Sequence, residues 1–242
     1  MFSVLKALEK QVLRGLGKGH GTKSIEAEVR AISALLGNTD ASLCIDIGGN
    51  VGNYTAALQA RFPTAQIVTF EPSATNVAKL ESRFGSDDRI RLVPAAVSRE
   101  AGDATLFSDT PGSGLGSLTK RDLSFKNIAF ETSETVQTVR LDDFWQTELN
   151  AAPIDILKLD IEGHELDALA GGQAALAKTR ALQFEFGGTN IDTRTFFKDF
   201  WDLLTAQGFT LHRITPFGTL KIDRYTERDE VFTTTNYIAV RQ

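Results

Sequence analysis

Apolar positions in this 242-residue chain come in short blocks separated by amphipathic stretches. Residues 43–47, 66–71, 90–97, 154–161 and 181–186 are runs rich in Ile, Val, Leu and Phe. Runs of that length read as strands buried on both faces. Between and after them, 52–61, 73–84, 165–177 and 195–207 read as helices. Such alternation predicts an α/β fold with a mostly parallel sheet and helices on both of its faces. Residues 210–214 and 236–241 are two closing strands with no long helix between them, which predicts an antiparallel pair at the sheet edge.

Two helices precede the first strand. Segment 2–14 (FSVLKALEKQVLR) is amphipathic with interspersed charges, and it suits packing on the domain or on a partner subunit better than a peripheral membrane role. A glycine-rich stretch, 15–21, separates it from a helix over 24–36, which Ser24 caps and Glu26 and Glu28 favour at its positive end. This predicts a helical extension over 1–41 and a catalytic domain over 42–242. Within that domain, short strands at 104–107 and 135–141 flank a polar segment, 108–134, that reads as a cap or mobile loop.

Composition narrows the function. A formal charge of −5 argues against a nucleic-acid partner, which calls for a basic surface. The three histidines are widely spaced and Cys44 is the single cysteine, so neither a His/Cys metal cluster nor an internal disulfide is available. Cys44 lies in an apolar run and reads as a buried thiol suited to a reducing cytoplasm. No apolar run is long enough to cross a bilayer, and the N-terminal pattern is not that of a secretory signal.

The most informative stretch is CIDIGGNVGNYT, 44–55, in which a strand runs into a turn holding Gly48, Gly49 and Gly52 before a helix starts. Glycines there allow positive φ and close approach of a ligand, and the helix start offers free N–H groups. Asp46, just before the turn, can bind a ligand ammonium or hold the loop, and it would repel a pyrophosphate. Glu71 ends the second strand, where an acid grips a ribose diol. By contrast, Gly17-Lys18 and Thr22-Lys23-Ser24 lack both the spacing and the preceding strand of a phosphate loop.

A second constellation leaves the middle of the sheet at 155–165, DILKLDIEGHE. Lys158, Asp160 and Glu162 share parity, so an extended chain sends them to one side, where a Lys158–Asp160 ion pair is one use for them. With His164 and with Glu185 of the next strand, Asp160 and Glu162 could ring one pocket. An alcohol is a poor nucleophile until a nearby base draws its proton away, and His164, Glu162 and Glu185 are the candidate bases. A magnesium ion held by the carboxylates is an alternative, although no metal is expected to be required. His164 could instead cap the following helix, and His20 and His212 have weaker claims.

Taken together, CIDIGGNVGNYT, VTFEPS (68–73), LKLDIEGHELDAL (157–169) and NYIAV (236–240) resemble the FkbM family of S-adenosylmethionine-dependent methyltransferases, over roughly 24–242. The resemblance implies a Rossmann-like class I methyltransferase fold, a seven-stranded sheet whose last strand inserts antiparallel. It implies S-adenosyl-L-methionine as cofactor and O-methylation of a sugar, glycolipid, polyketide or similar metabolite. Asp46, Gly48, Asn50 and Gly52 match its cofactor turn and Glu71 its ribose acid, with Gly49, Asn53 and Pro72 beside them as further cofactor-binding candidates. Ala95, Ala96 and Val97 match the stretch near the adenine, and Asp160, Glu162 and Gly163 match the second motif. A nucleotide-linked oxidoreductase and a non-catalytic binding module compete with this reading, and a homodimer through 2–14 is a further expectation.

Overall fold

In the computed structural model, which describes residues 1–19 and 24–241, the chain opens with helices α1 (Phe2–Gly15) and α2 (Ile25–Leu35). Alternation then begins with β1 (Leu43–Ile47), α3 (Asn53–Arg61), β2 (Gln66–Phe70), α4 (Ala74–Phe84) and β3 (Ile90–Val93). Short β4 (Ala96–Val97), β5 (Gly102–Ser108) and β6 (Thr132–Val139) follow, then α5 (Leu141–Glu148) and β7 (Ile154–Leu159). The chain continues through α6 (Glu165–Ala170), α7 (Gln173–Ala177), β8 (Thr179–Phe186), α8 (Thr189–Thr193) and α9 (Phe197–Ala206). It closes with β9 (Phe209–Thr215), β10 (Gly218–Lys221) and β11 (Thr235–Arg241).

The main sheet has the order β10-β9-β11-β8-β7-β1-β2-β3. Strands β3, β2, β1, β7 and β8 run parallel, and β11 inserts antiparallel between β8 and β9. All seven expected strands are present, and β10 adds an eighth by folding back on β9 as an edge hairpin. No described helix is long and apolar enough to cross a membrane.

Strand pleat divides the core into two layers. Leu43, Ile45 and Ile47 of β1 pack with Leu157, Leu159, Phe184, Phe197 and Phe200 on one face of the sheet. Cys44 and Ile156 face the other side, against Val29 and Ile32 of α2 and Tyr54 and Leu58 of α3. Range 1–41 therefore holds two different structures: α2 belongs to the main core, whereas α1 has no buried residue. Burial also pushes the Cys44 thiol well up, which keeps it uncharged.

Three expected elements differ in detail. The predicted strand 90–97 is two strands, because Pro94 has no N–H for the ladder and Ala96–Val97 leaves to pair with β6 in a separate sheet of order β4-β6-β5. The predicted helix 165–177 is split into α6 and α7 at Gly171-Gly172. The predicted strand 135–141 ends at Val139, and α5 follows, burying Leu141 and Trp145. His20, a weak candidate base, lies with Gly21, Thr22 and Lys23 outside the described residues.

Candidate active site

The glycine turn is built by three contacts. Gly48 and Gly49 both donate N–H bonds to the Phe70 carbonyl at the end of β2, at 3.0 and 2.9 Å. Gly48 has φ +88°, and a Cβ there would stand 2.0 Å from the Asp160 carbonyl oxygen, so only glycine lets the turn and the end of β7 meet. Gly52, at φ +83°, caps α3 with no room for a side chain beside Phe84 and Leu80.

Glu71 ties this turn to the next. One carboxylate oxygen accepts the Asn50 N–H at 2.7 Å and the other accepts the Ser73 N–H at 2.9 Å. Burial raises the Glu71 carboxyl, and the two N–H groups act against that. Asp46 lies behind the turn, wholly buried, and lines neither hollow described below. Its oxygens take the Thr55 hydroxyl at 2.8 Å and the Lys158 ammonium at 3.4 Å. In this structure its contacts are internal, the second of the two roles open to it.

A cleft opens at the carboxyl ends of β1, β2 and β7. Gly48, Asn50 and Asp160 border one end, Glu71, Pro72, Ser73 and Asn76 the middle, and Ala95, Ala96, Val97 and Leu106 an apolar end. Residues 112–118 roof it, so part of the polar segment 108–134 covers the site. That roof is fastened: Ser117 exchanges backbone bonds with Phe107 at 2.8 and 2.9 Å, and its hydroxyl donates to the Glu162 carbonyl at 2.8 Å. Arg121, nearly buried, spans Glu162 at 2.9 Å and Asp192 at 3.0 Å.

A second hollow lies on the other side of the turn. Glu28, Asn53, Tyr54, Lys158, Glu185 and Asn236 are among its walls, and it shares Gly48, Asn50 and Asp160 with the cleft. Lys158 sits 3.3 Å from Asp160 and 3.4 Å from Asp46, with its ammonium 4.9 Å from the centre of the Tyr54 ring. Although burial opposes its charge, those two carboxylates hold Lys158 above the usual lysine range. Tyr54 donates to Gln183 at 2.7 Å, and Gln183 donates to Glu28 at 2.7 Å, which ties α2 to the hollow's floor.

The expected ring of four is thus divided. Glu162 and His164 line the cleft, Glu185 lines the hollow, and Asp160 borders both. The shared parity of 158, 160 and 162 does not carry Glu162 along, because β7 ends at Leu159 and Glu162 turns at φ +52°. Burial, then repulsion from Asp160, pushes Glu162 up to about 8, against the pull of Arg121. Burial raises Glu185 well above the carboxylate range, reinforced by Asp160, Glu162 and Glu165. His164 has both ring nitrogens engaged: Nε2 lies 2.8 Å from the Thr119 hydroxyl and Nδ1 3.5 Å from Asp167. Its side chain does not cap α6. Asn53 is exposed and accepts from Arg83, and His212 lies on β9 away from both hollows. Among the described residues no three of His, Cys, Asp and Glu gather closely enough to hold a metal ion.

Several lining residues carried no signal of their own in the sequence. Asn76 lies three positions after Ser73 at the start of α4, Glu28 reaches the second hollow only by folding, and Arg121, which lines neither space, is joined to the site through Glu162. Arg121 is one basic residue in a polar stretch, and nothing in its neighbours marks it.

Strand order, the inserted antiparallel β11 and hollows at the carboxyl edge define a class I methyltransferase fold. Residues 46–211 match the profile described as Methyltransferase FkbM domain, and the chain belongs to that family. It is an S-adenosylmethionine-dependent methyltransferase. It is 31% identical over 191 residues to the 2-O-methyltransferase NoeI of Sinorhizobium fredii (strain NBRC 101917 / NGR234), covering 73% of this chain and 76% of that one. Methyltransferase 1 of Beauveria bassiana (strain ARSEF 2860) is 28% identical over 148 residues, covering 54% and 59%. Among solved structures, the O-methyltransferase of Bacillus cereus in complex with SAH shares the fold at a TM-score of 0.50 and 13% identity, over 100% of this chain and 91% of that one.

Proposed function

We propose that this enzyme methylates a hydroxyl of a saccharide or related metabolite, with the cofactor in the roofed cleft and the acceptor entering from the second hollow. The observation that carries this reading is that the two spaces meet at Gly48, Asn50 and Asp160. The cleft suits the cofactor's parts in order. Ala95, Ala96 and Val97 offer apolar surface to an adenine, Glu71 a carboxylate to a ribose diol, and Asn50 and Asp160 polar groups to the amino-acid end. When bound, S-adenosylmethionine supplies a methyl group on a positively charged sulfur.

The chain's own contribution is placement and proton removal. With the cofactor bound, its methyl group would pass to an acceptor oxygen held at the junction of the two spaces, and Glu185 would take that oxygen's proton. Burial makes Glu185 a stronger proton acceptor once ionised, so turnover rises with pH as that carboxyl loses its proton. Similarity to a 2-O-methyltransferase supports oxygen as the target atom. Among the described residues that line the second hollow, three acids, Glu28, Asp160 and Glu185, accompany one cation, Lys158, which favours a neutral hydroxyl compound over an anionic one.

Calorimetry with S-adenosylhomocysteine and labelled-methyl transfer to neutral saccharides test the reading. Binding in the micromolar range is expected, weakened strongly by Glu71→Ala. Absence of binding by the folded protein refutes the cofactor assignment. Retained transfer in Glu185→Gln refutes the base assignment alone.

A further inference from the structure

Among the described α-helices, α1 alone buries no residue. Phe2, Val4, Leu5, Leu8 and Val12 are each more than half exposed. At about 100° per residue, the apolar side chains of α1 cover roughly half its circumference. The opposite half holds Lys6, Lys10 and Arg14, and Glu9 alone intrudes on the apolar side. The apolar surface continues onto a second element. Phe217, at the tip of the β9–β10 hairpin, is 87% exposed, and its ring lies 3.8 Å from where a Cβ on Gly15 would stand.

We infer that α1, with Phe217, docks on a bilayer surface containing anionic lipids. Charge selects this occupant. In a chain that is acidic as a whole, at −5, the cations on the polar half of this helix form a local positive patch that matches an anionic plane. Width selects it as well. A two-helix seam covers a narrow stripe, which would leave much of this apolar half wet, whereas the bilayer interface covers such a face completely. An aromatic at the adjoining hairpin tip suits the headgroup boundary.

Co-sedimentation of the full chain with vesicles tests the inference, using phosphatidylcholine alone and phosphatidylcholine with about one-third phosphatidylglycerol. Binding to the anionic vesicles at least tenfold tighter than to the neutral ones is expected. The triple variant Lys6→Gln, Lys10→Gln, Arg14→Gln should lose affinity on the order of a hundredfold, at about fivefold for each cation removed near an anionic surface. Leu5→Asp with Leu8→Asp should abolish binding, and Glu9→Gln should strengthen it. Because α1 buries nothing, all these variants should keep S-adenosylhomocysteine affinity and melting temperature, which separates lost docking from lost folding. Three results overturn the inference: no binding to anionic vesicles, equal binding to both vesicle types, or a vesicle-independent dimer in sedimentation velocity that Leu8→Asp dissolves.

Discussion

Replacing Glu165 with glutamine separates the cost of a buried charge from the geometry its side chain imposes. Glu165 is 1% exposed, and one carboxylate oxygen accepts the N–H groups of Ile161 at 3.0 Å and Gly163 at 3.2 Å. Those bonds hold the bend in which Glu162 and Gly163 take positive φ. The other oxygen is buried without a partner. Burial pushes the carboxyl up to about 7, from an ordinary value of 4.5. The folded state therefore keeps a proton that the unfolded chain sheds between those two values, so stability falls as pH rises across that window and is level on either side. At about 1.4 kcal/mol per pKa unit the full loss is roughly 3 kcal/mol. Glutamine keeps the accepting oxygen and removes the titration. Urea unfolding at pH values from about 5 to about 8 should show the wild type losing roughly 1.4 kcal/mol more per pH unit than Glu165→Gln inside the window. Glu162 and Glu185 titrate in both proteins, and because the Glu165 carboxylate raises both, the difference in slope reports Glu165 together with that coupling. The buried amide shifts the variant's whole curve and leaves its slope as the observable. Parallel curves would show that Glu165 is already charged in the folded protein, and the reasoning would be wrong.

Gly48→Ala should reduce S-adenosylhomocysteine affinity at least a hundredfold and lower the melting temperature, because its Cβ overlaps the Asp160 carbonyl and its φ is positive. Unchanged affinity by calorimetry would mean the turn is not where the cofactor's amino-acid end lies. Glu71→Ala leaves the Asn50 and Ser73 N–H groups without their charged acceptor, which should cost roughly 1.5–3 kcal/mol of stability for each bond lost, and it should weaken the same binding strongly. Arg121→Met removes the clamp between the roof and α8 and should speed proteolysis within 108–134 while sparing the main sheet. Cleavage at the wild-type rate would show that Ser117 and Thr119 hold the roof alone. Thorough chelation should leave turnover intact, and its loss with cofactor binding preserved would assign the carboxylates to a metal.

The parallel strands were legible in the sequence because their burial on both faces forces near-continuous apolar runs, as in Leu43–Ile47. The glycine turn and Glu71 were legible for a related reason: backbone constraint leaves a residue-type signature at a strand's end. What escaped was set by tertiary neighbours. Nothing local distinguishes 90–93 from 96–97, yet Pro94 and the pairing of Ala96 with Thr138 send them to different sheets. Parity correctly put Lys158 with Asp160 but could not see that β7 stops before Glu162. Glu28 lies 155 residues from Gln183 in the chain, so its place in the second hollow appears only once α2 has packed on α3.

Two openings on either side of one glycine turn have a kinetic meaning. If cofactor and acceptor occupy the two spaces as proposed, a spent cofactor can leave through one while the methylated product still occupies the other, and either reactant can arrive first. Steady-state measurements should therefore show a random order of addition. S-adenosylhomocysteine should compete with the methyl donor yet remain non-competitive toward the acceptor.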